Sequence, residues 1–174
     1  MKKRLIILFL LSILLYFQGQ AQLKWGYKVG INNSGNIKTS NFNFSNRFGL
    51  QAGIFAETEL FKSIYLQPAV QLDYVGYGIE NSSYTKLGLS LNPNLVYKIN
   101  NFQIGLGPKF IAFLGSTPYP LSSDEKTGFG GNVFLGYNLN EKVSIQLSYS
   151  QNAQNAQFLK RYTIGLSLLG YFGQ

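Results

Sequence analysis

The sequence predicts an all-β fold, an eight-stranded antiparallel up-and-down transmembrane β-barrel, on three observations. Eight stretches alternate apolar residues with Gly, Ser, Asn, Gln and charged residues, and successive strand side chains point to opposite faces. Charged residues make up 13% of the chain, about half of the ~25% usual in soluble domains, while aromatics reach 16% and glycines number 19. Long and short polar connections also alternate along the chain, as outer loops and inner turns do in outer-membrane barrels.

The first 21 residues read as a leader, removed before folding. Lys2, Lys3 and Arg4 form a basic start, Leu5 to Phe17 an apolar run, and Gly19-Gln20-Ala21 a small-x-small cleavage pattern. The apolar run is shorter than the ~20 residues that span a bilayer as a helix. Cleavage is therefore expected after Ala21, with residues 22–174 forming the barrel domain. The chain has no cysteine, which excludes a lipoprotein anchor and a disulfide framework.

The strands follow in order. Lys24 to Asn32 sets Trp25, Tyr27, Val29 and Ile31 on one face, and Arg47 to Thr58 does the same with Phe48, Leu50, Ala52, Ile54 and Ala56. Ile64 to Val75 contributes Ile64, Leu66, Pro68, Val70, Leu72 and Tyr74; Lys86 to Lys98 contributes the odd positions from Leu87 to Tyr97. Phe102 to Phe113 and Gly128 to Leu139 follow, with Ile104, Leu106, Phe110, Phe129, Val133 and Leu135 on the apolar face. Val143 to Gln151 and Arg161 to Phe172 complete the set. No residue on the apolar face is charged, as lipid contact requires, since a Lys or Arg at mid-membrane costs roughly 2–4 kcal/mol. Aromatics sort to the two ends of this face, with aliphatics between, the girdle profile of a membrane barrel.

The other face is expected to line a narrow lumen. It carries Gly26, Gly30, Gly49, Gly53, Gly105, Gly107, Gly130, Gly136 and Gly165, and the charged residues Lys28, Arg47, Glu57, Asp73, Lys86, Lys109 and Arg161. An eight-stranded barrel has an interior just wide enough for side chains to fill. Glu57 and Asp73 are expected to pair with some of these cations, because buried charges persist when paired and hydrogen-bonded. Pro68, Pro93 and Pro108 interrupt strands by removing ladder donors, and a bulge at each is the simplest accommodation.

Chemistry-bearing motifs are sparse. A serine hydrolase normally needs a histidine base, and the chain has none; without His or Cys a zinc site is not expected either. Asp124 and Glu125 read as a solvated loop tip. Gly128-Phe-Gly-Gly and Gly105-Leu-Gly run along strands without a following helix, so they read as lumen-lining glycines. No enzyme activity, cofactor or metal is expected. Loss of the leader leaves 12 basic residues against 7 acidic, but they are scattered, which argues against nucleic acid as a partner.

Trp25-Gly-Tyr-Lys-Val-Gly-Ile-Asn-Asn-Ser, Tyr65-Leu-Gln-Pro-Ala-Val-Gln-Leu-Asp-Tyr, Leu91-Asn-Pro-Asn-Leu-Val-Tyr-Lys and Gly105-Leu-Gly-Pro-Lys-Phe together resemble the opening and proline-containing strands of PorT-like outer-membrane β-barrel proteins. The resemblance covers essentially the whole mature chain and implies an outer-membrane location, with the prolines as a family trait. This chain departs from the pattern at Ala69, where the family usually carries an acidic residue. Some such barrels assist protein secretion across the envelope.

The reading that follows is a monomeric, porin-like barrel of the outer membrane, in contact with its lipids, with a structural or loop-mediated binding role. Phe42, Phe44 and Tyr119 in the long loops are the candidate contacts for envelope or extracellular proteins, since rigid scaffolds present function on loops. The alternatives are a narrow channel for ions or small solutes and an accessory barrel in secretion.

Overall fold

The computed structural model describes residues 23–37, 44–79, 82–114, 127–153 and 160–172. The leader therefore lies outside the described residues. Eight strands run β1 (Lys24–Ile37), β2 (Phe44–Phe61), β3 (Ile64–Ile79), β4 (Ser82–Ile99), β5 (Phe102–Leu114), β6 (Thr127–Asn138), β7 (Val143–Ala153) and β8 (Lys160–Tyr171). Each pairs antiparallel with its sequence neighbour, and β1 pairs with β8 to close the barrel.

Alternation determines which way each strand faces. Leu89, Ile104, Leu147 and Ile164 are 43%, 46%, 52% and 45% exposed on the outer wall, whereas Lys28 and Asp73 are buried inside. The outer aromatics pair across strands near both rims: Phe102 with Tyr137 at 5.0 Å between ring centroids and Tyr27 with Phe172 at 5.6 Å toward the short turns, Phe110 with Phe129 at 5.0 Å toward the long loops. Such cross-strand aromatic pairs stabilise a sheet and pin its register.

The short turns end the strands tightly. Lys62-Ser63 and Asn100-Asn101 each join two strands, with Ser63 and Asn100 at positive φ (69° and 51°). Asn tolerates that region because its short polar side chain bonds locally. In the third turn Asn140 Oδ1 accepts from the backbone N–H groups of Lys142 and Val143, both at 2.8 Å.

The prolines sit in the wall without bulges, contrary to expectation. Pro68 pairs with Pro93 in an unbroken β3–β4 register, and Pro108 pairs with Gly131 in an equally regular β5–β6 register. The β4–β5 ladder lapses between Leu91–Phe110 and Leu95–Leu106 and resumes in the same register. The register shifts occur instead in β2, between Asn46 and Gln51 and between Glu59 and Phe61. Proline's outward ring needs no extra residue; what it removes is a donor.

The interior also departs from the small, polar set read from the sequence. Phe55, Val96, Ile111, Phe113, Phe134 and Leu169 are buried within it. Glycine makes the room: a Cβ on Gly105 would stand 2.2 Å from the Phe134 ring, and one on Gly26 would stand 2.4 Å from the Phe55 ring. Large inward side chains thus occupy the space that neighbouring glycines leave.

Candidate functional site

The lumen is built in three tiers. At the short-turn end, Glu57 accepts from Lys98 Nζ at 2.5 Å, Gln67 Nε2 at 3.0 Å and the Tyr171 hydroxyl at 3.0 Å. Lys98 Nζ also lies over the Tyr65 ring, 4.4 Å from its centroid, a cation–π contact that holds the ammonium inside the mouth. Phe55, Ala69 and Leu169 pack beside this group, and Tyr171 meets Phe55 edge-on at 5.2 Å. An ion pair and an apolar layer therefore block this mouth together.

The middle tier is polar. Asp73 accepts from Lys109 Nζ at 2.9 Å, Gln71 Nε2 at 2.7 Å and Ser90 Oγ at 2.8 Å. Lys28, also buried, lies within electrostatic reach of both Lys109 and Asp73. Across the lumen Gln51 Nε2 donates to Ser167 Oγ at 2.6 Å, and Asn132 Nδ2 to Asn94 Oδ1 at 3.2 Å. Free space among these side chains is about 10 Å³, room for about one water.

Toward the long loops the lining turns apolar again. Val75, Ile111 and Phe113 form a buried cluster, with the Arg161 guanidinium 5.3 Å and Lys86 Nζ 5.6 Å from the Phe113 centroid. A cation over an aromatic face is attracted by the ring, which favours both side chains beside an otherwise greasy layer.

Of the seven expected lumen charges, Arg47 is the exception: it is exposed. β2 shifts register between Asn46 and Gln51. Behind that irregularity Ser34 Oγ of β1 donates to the Gly76 carbonyl of β3 at 2.8 Å and accepts from the Gly76 N–H at 2.9 Å. The inside of the wall is already closed by this bond, so Arg47 keeps its charge in water. Lys28, Lys109, Asp73, Glu57 and Arg161 are buried inside, and Lys86 is half-buried near the upper rim.

Lys98 was absent from the expected charges although it lies in the same alternating row as Lys86. Its position in the row was legible; the reach across β3 to Glu57 was not. The loop candidates Phe42 and Tyr119 lie outside the described residues, as does the side chain of Phe44, the first residue of β2. Among the described residues no cluster of three metal-ligating side chains occurs.

No protein-family model and no curated protein matches the sequence. Solved structures do match in fold. Ail of Yersinia pestis, in complex with the heparin analogue sucrose octasulfate, aligns with a TM-score of 0.58 at 17% identity, over 87% of this chain and 99% of that one. Neisserial surface protein A aligns at 0.53 and 12% identity, over 85% and 97%. The outer membrane protein AlkL, determined in lipid bilayers, aligns at 0.50 and 14%, over 88% and 92%. This chain has the closed eight-stranded antiparallel fold of the small outer-membrane β-barrels.

Proposed function

We propose that the chain resides in the outer membrane as a monomeric barrel, exported through a leader cleaved after Ala21, and that it binds partners at its long-loop end. The observation that carries this reading is the filled lumen. With the Glu57–Lys98 pair and the Phe55–Leu169 layer at one end and Val75, Ile111 and Phe113 at the other, little more than one water fits between. A scaffold without an open path presents its chemistry at the rim. The Ail complex with a heparin analogue supports such a surface in a barrel of this shape. The resemblance to PorT-like barrels supports the same location and makes envelope proteins the partner class to test first. No catalytic or cofactor role is proposed.

Two measurements test the reading. Reconstituted in a planar bilayer, the protein should stay silent across a wide voltage range; steady unitary currents would favour the narrow channel instead. Affinity capture from intact envelopes with a loop-tagged copy should recover a partner that is lost when Phe42, Phe44 and Tyr119 are changed to alanine. Unchanged capture would remove the loop-binding role.

A further inference from the structure

Pro68, Pro93 and Pro108 form one row. Pro68 faces Pro93 across β3–β4, the β4–β5 register on both sides of its lapse sets Pro93 opposite Pro108, and Pro108 faces Gly131 across β5–β6. In an antiparallel sheet a residue of an inner strand exchanges both backbone bonds with one neighbour and none with the other. The Pro68–Pro93 pair falls at a position that demands no bonds, because the β3–β4 ladder runs through it unbroken. Pro93 must then exchange its bonds with Pro108, and neither has an N–H to give. One site therefore loses both of its ladder bonds. The observed gap, from Leu91–Phe110 to Leu95–Leu106, is the length that this double loss produces.

What lies on either side of the gap gives it meaning. On the lipid side, one row nearer the long loops, Val70, Leu91, Phe110 and Phe129 bound an apolar groove of about 540 Å³, with Ala112 and Leu89 beyond them. On the lumen side Asn92, Asn94, Lys109 and Asn132 line the central cavity, and Asn92 Oδ1 is buried without a protein hydrogen-bond partner. An apolar recess and a polar cavity thus flank the site where two facing prolines remove both ladder bonds.

We infer that the β4–β5 seam at Pro93 and Pro108 is where this barrel opens sideways, joining its central cavity to the membrane. Backbone opening in proteins favours stretches that lack hydrogen bonds; the β2–β3 ladder lapses too, but Ser34 closes its longer lapse from inside by bonding Gly76. In hydrocarbon this bias is sharper, since water cannot replace a lost bond. The inference goes beyond the loop-end reading and does not depend on it: a barrel shut toward both aqueous sides is compatible with a wall that parts toward lipid.

The full chain in phospholipid nanodiscs tests this directly, because it has no native cysteine. Asn92→Cys and Ser148→Cys each place one thiol on the central cavity, behind the β4–β5 seam and on β7, respectively. With N-cyclohexylmaleimide, which partitions into the bilayer, Asn92→Cys should react about ten-fold faster than Ser148→Cys. A charged, water-borne thiol reagent should react slowly with both. Equal rates with the lipid-soluble reagent, or rapid reaction of Asn92→Cys with the charged one, would overturn the inference. A second measurement covers a cysteine variant that fails to fold. In the native chain the amides of Leu91, Leu95, Leu106 and Phe110 should exchange hydrogen faster than those of Val133, Leu135, Leu147 and Tyr149 at β6–β7. Pro93→Val with Pro108→Val should slow the first group about ten-fold by restoring both donors. Equal protection of the two groups in the native chain would also sink the idea.

Discussion

Asp73 and Glu57 are both buried carboxylates, and each holds a lysine, yet their surroundings differ. Asp73 sits mid-lumen with Lys109, whose side chain is 5% exposed, and the buried Lys28 within electrostatic reach. Glu57 sits near the short-turn mouth, and its partner Lys98 keeps 18% of its side chain exposed, against aromatic rings. The first carboxylate offsets charge that has nowhere to go. The second fastens a side chain that has water within reach. A buried charge is costly chiefly when its counter-charge is removed and solvent is far.

Asp73→Ala should therefore have the largest effect, because it leaves two lysines facing each other in the cavity. A loss of about 3–5 kcal/mol of folding stability is expected, read from urea unfolding in lipid vesicles. Stability within 1 kcal/mol of the parent would remove Asp73 from the centre of the network. Leu147→Lys puts a charge with no partner on the outer wall, and should cost roughly 2–4 kcal/mol by the same assay. A neutral result there would argue that the wall does not meet hydrocarbon at that height. Glu57→Ala should cost less, about 1–3 kcal/mol, since Lys98 can turn toward water. If it matched Asp73→Ala, the difference between the two sites would be lost. Arg47→Ala, outside the lumen, should shift stability by no more than about 0.5 kcal/mol. A larger loss would place Arg47 in a contact that its exposure does not suggest.

Much of the wall was legible because strand alternation has a period of two, which leaves little freedom once one face must meet lipid. Leu89 and Asn92 take opposite faces for that reason alone. The interior was less legible. Phe134 and Phe55 stand in the inward row of their strands, but nothing local says that Gly105 and Gly26 on neighbouring strands make room for their rings. The prolines show the same limit. Their ring and missing donor are local properties, whereas their alignment into one row depends on the register of three strands.

The chain by itself determined which apolar residues face outward, how many strands there are, and which connections share an end, because these follow from spacing and from the cost of charge in hydrocarbon. Only the closed barrel decided that Lys98 reaches Glu57, that Arg47 stands outside beside the β2 irregularity, and that two prolines share one pair of missing bonds. Those outcomes depend on the stagger between strands far apart in sequence, and stagger is fixed by the sum of all pairings around the ring.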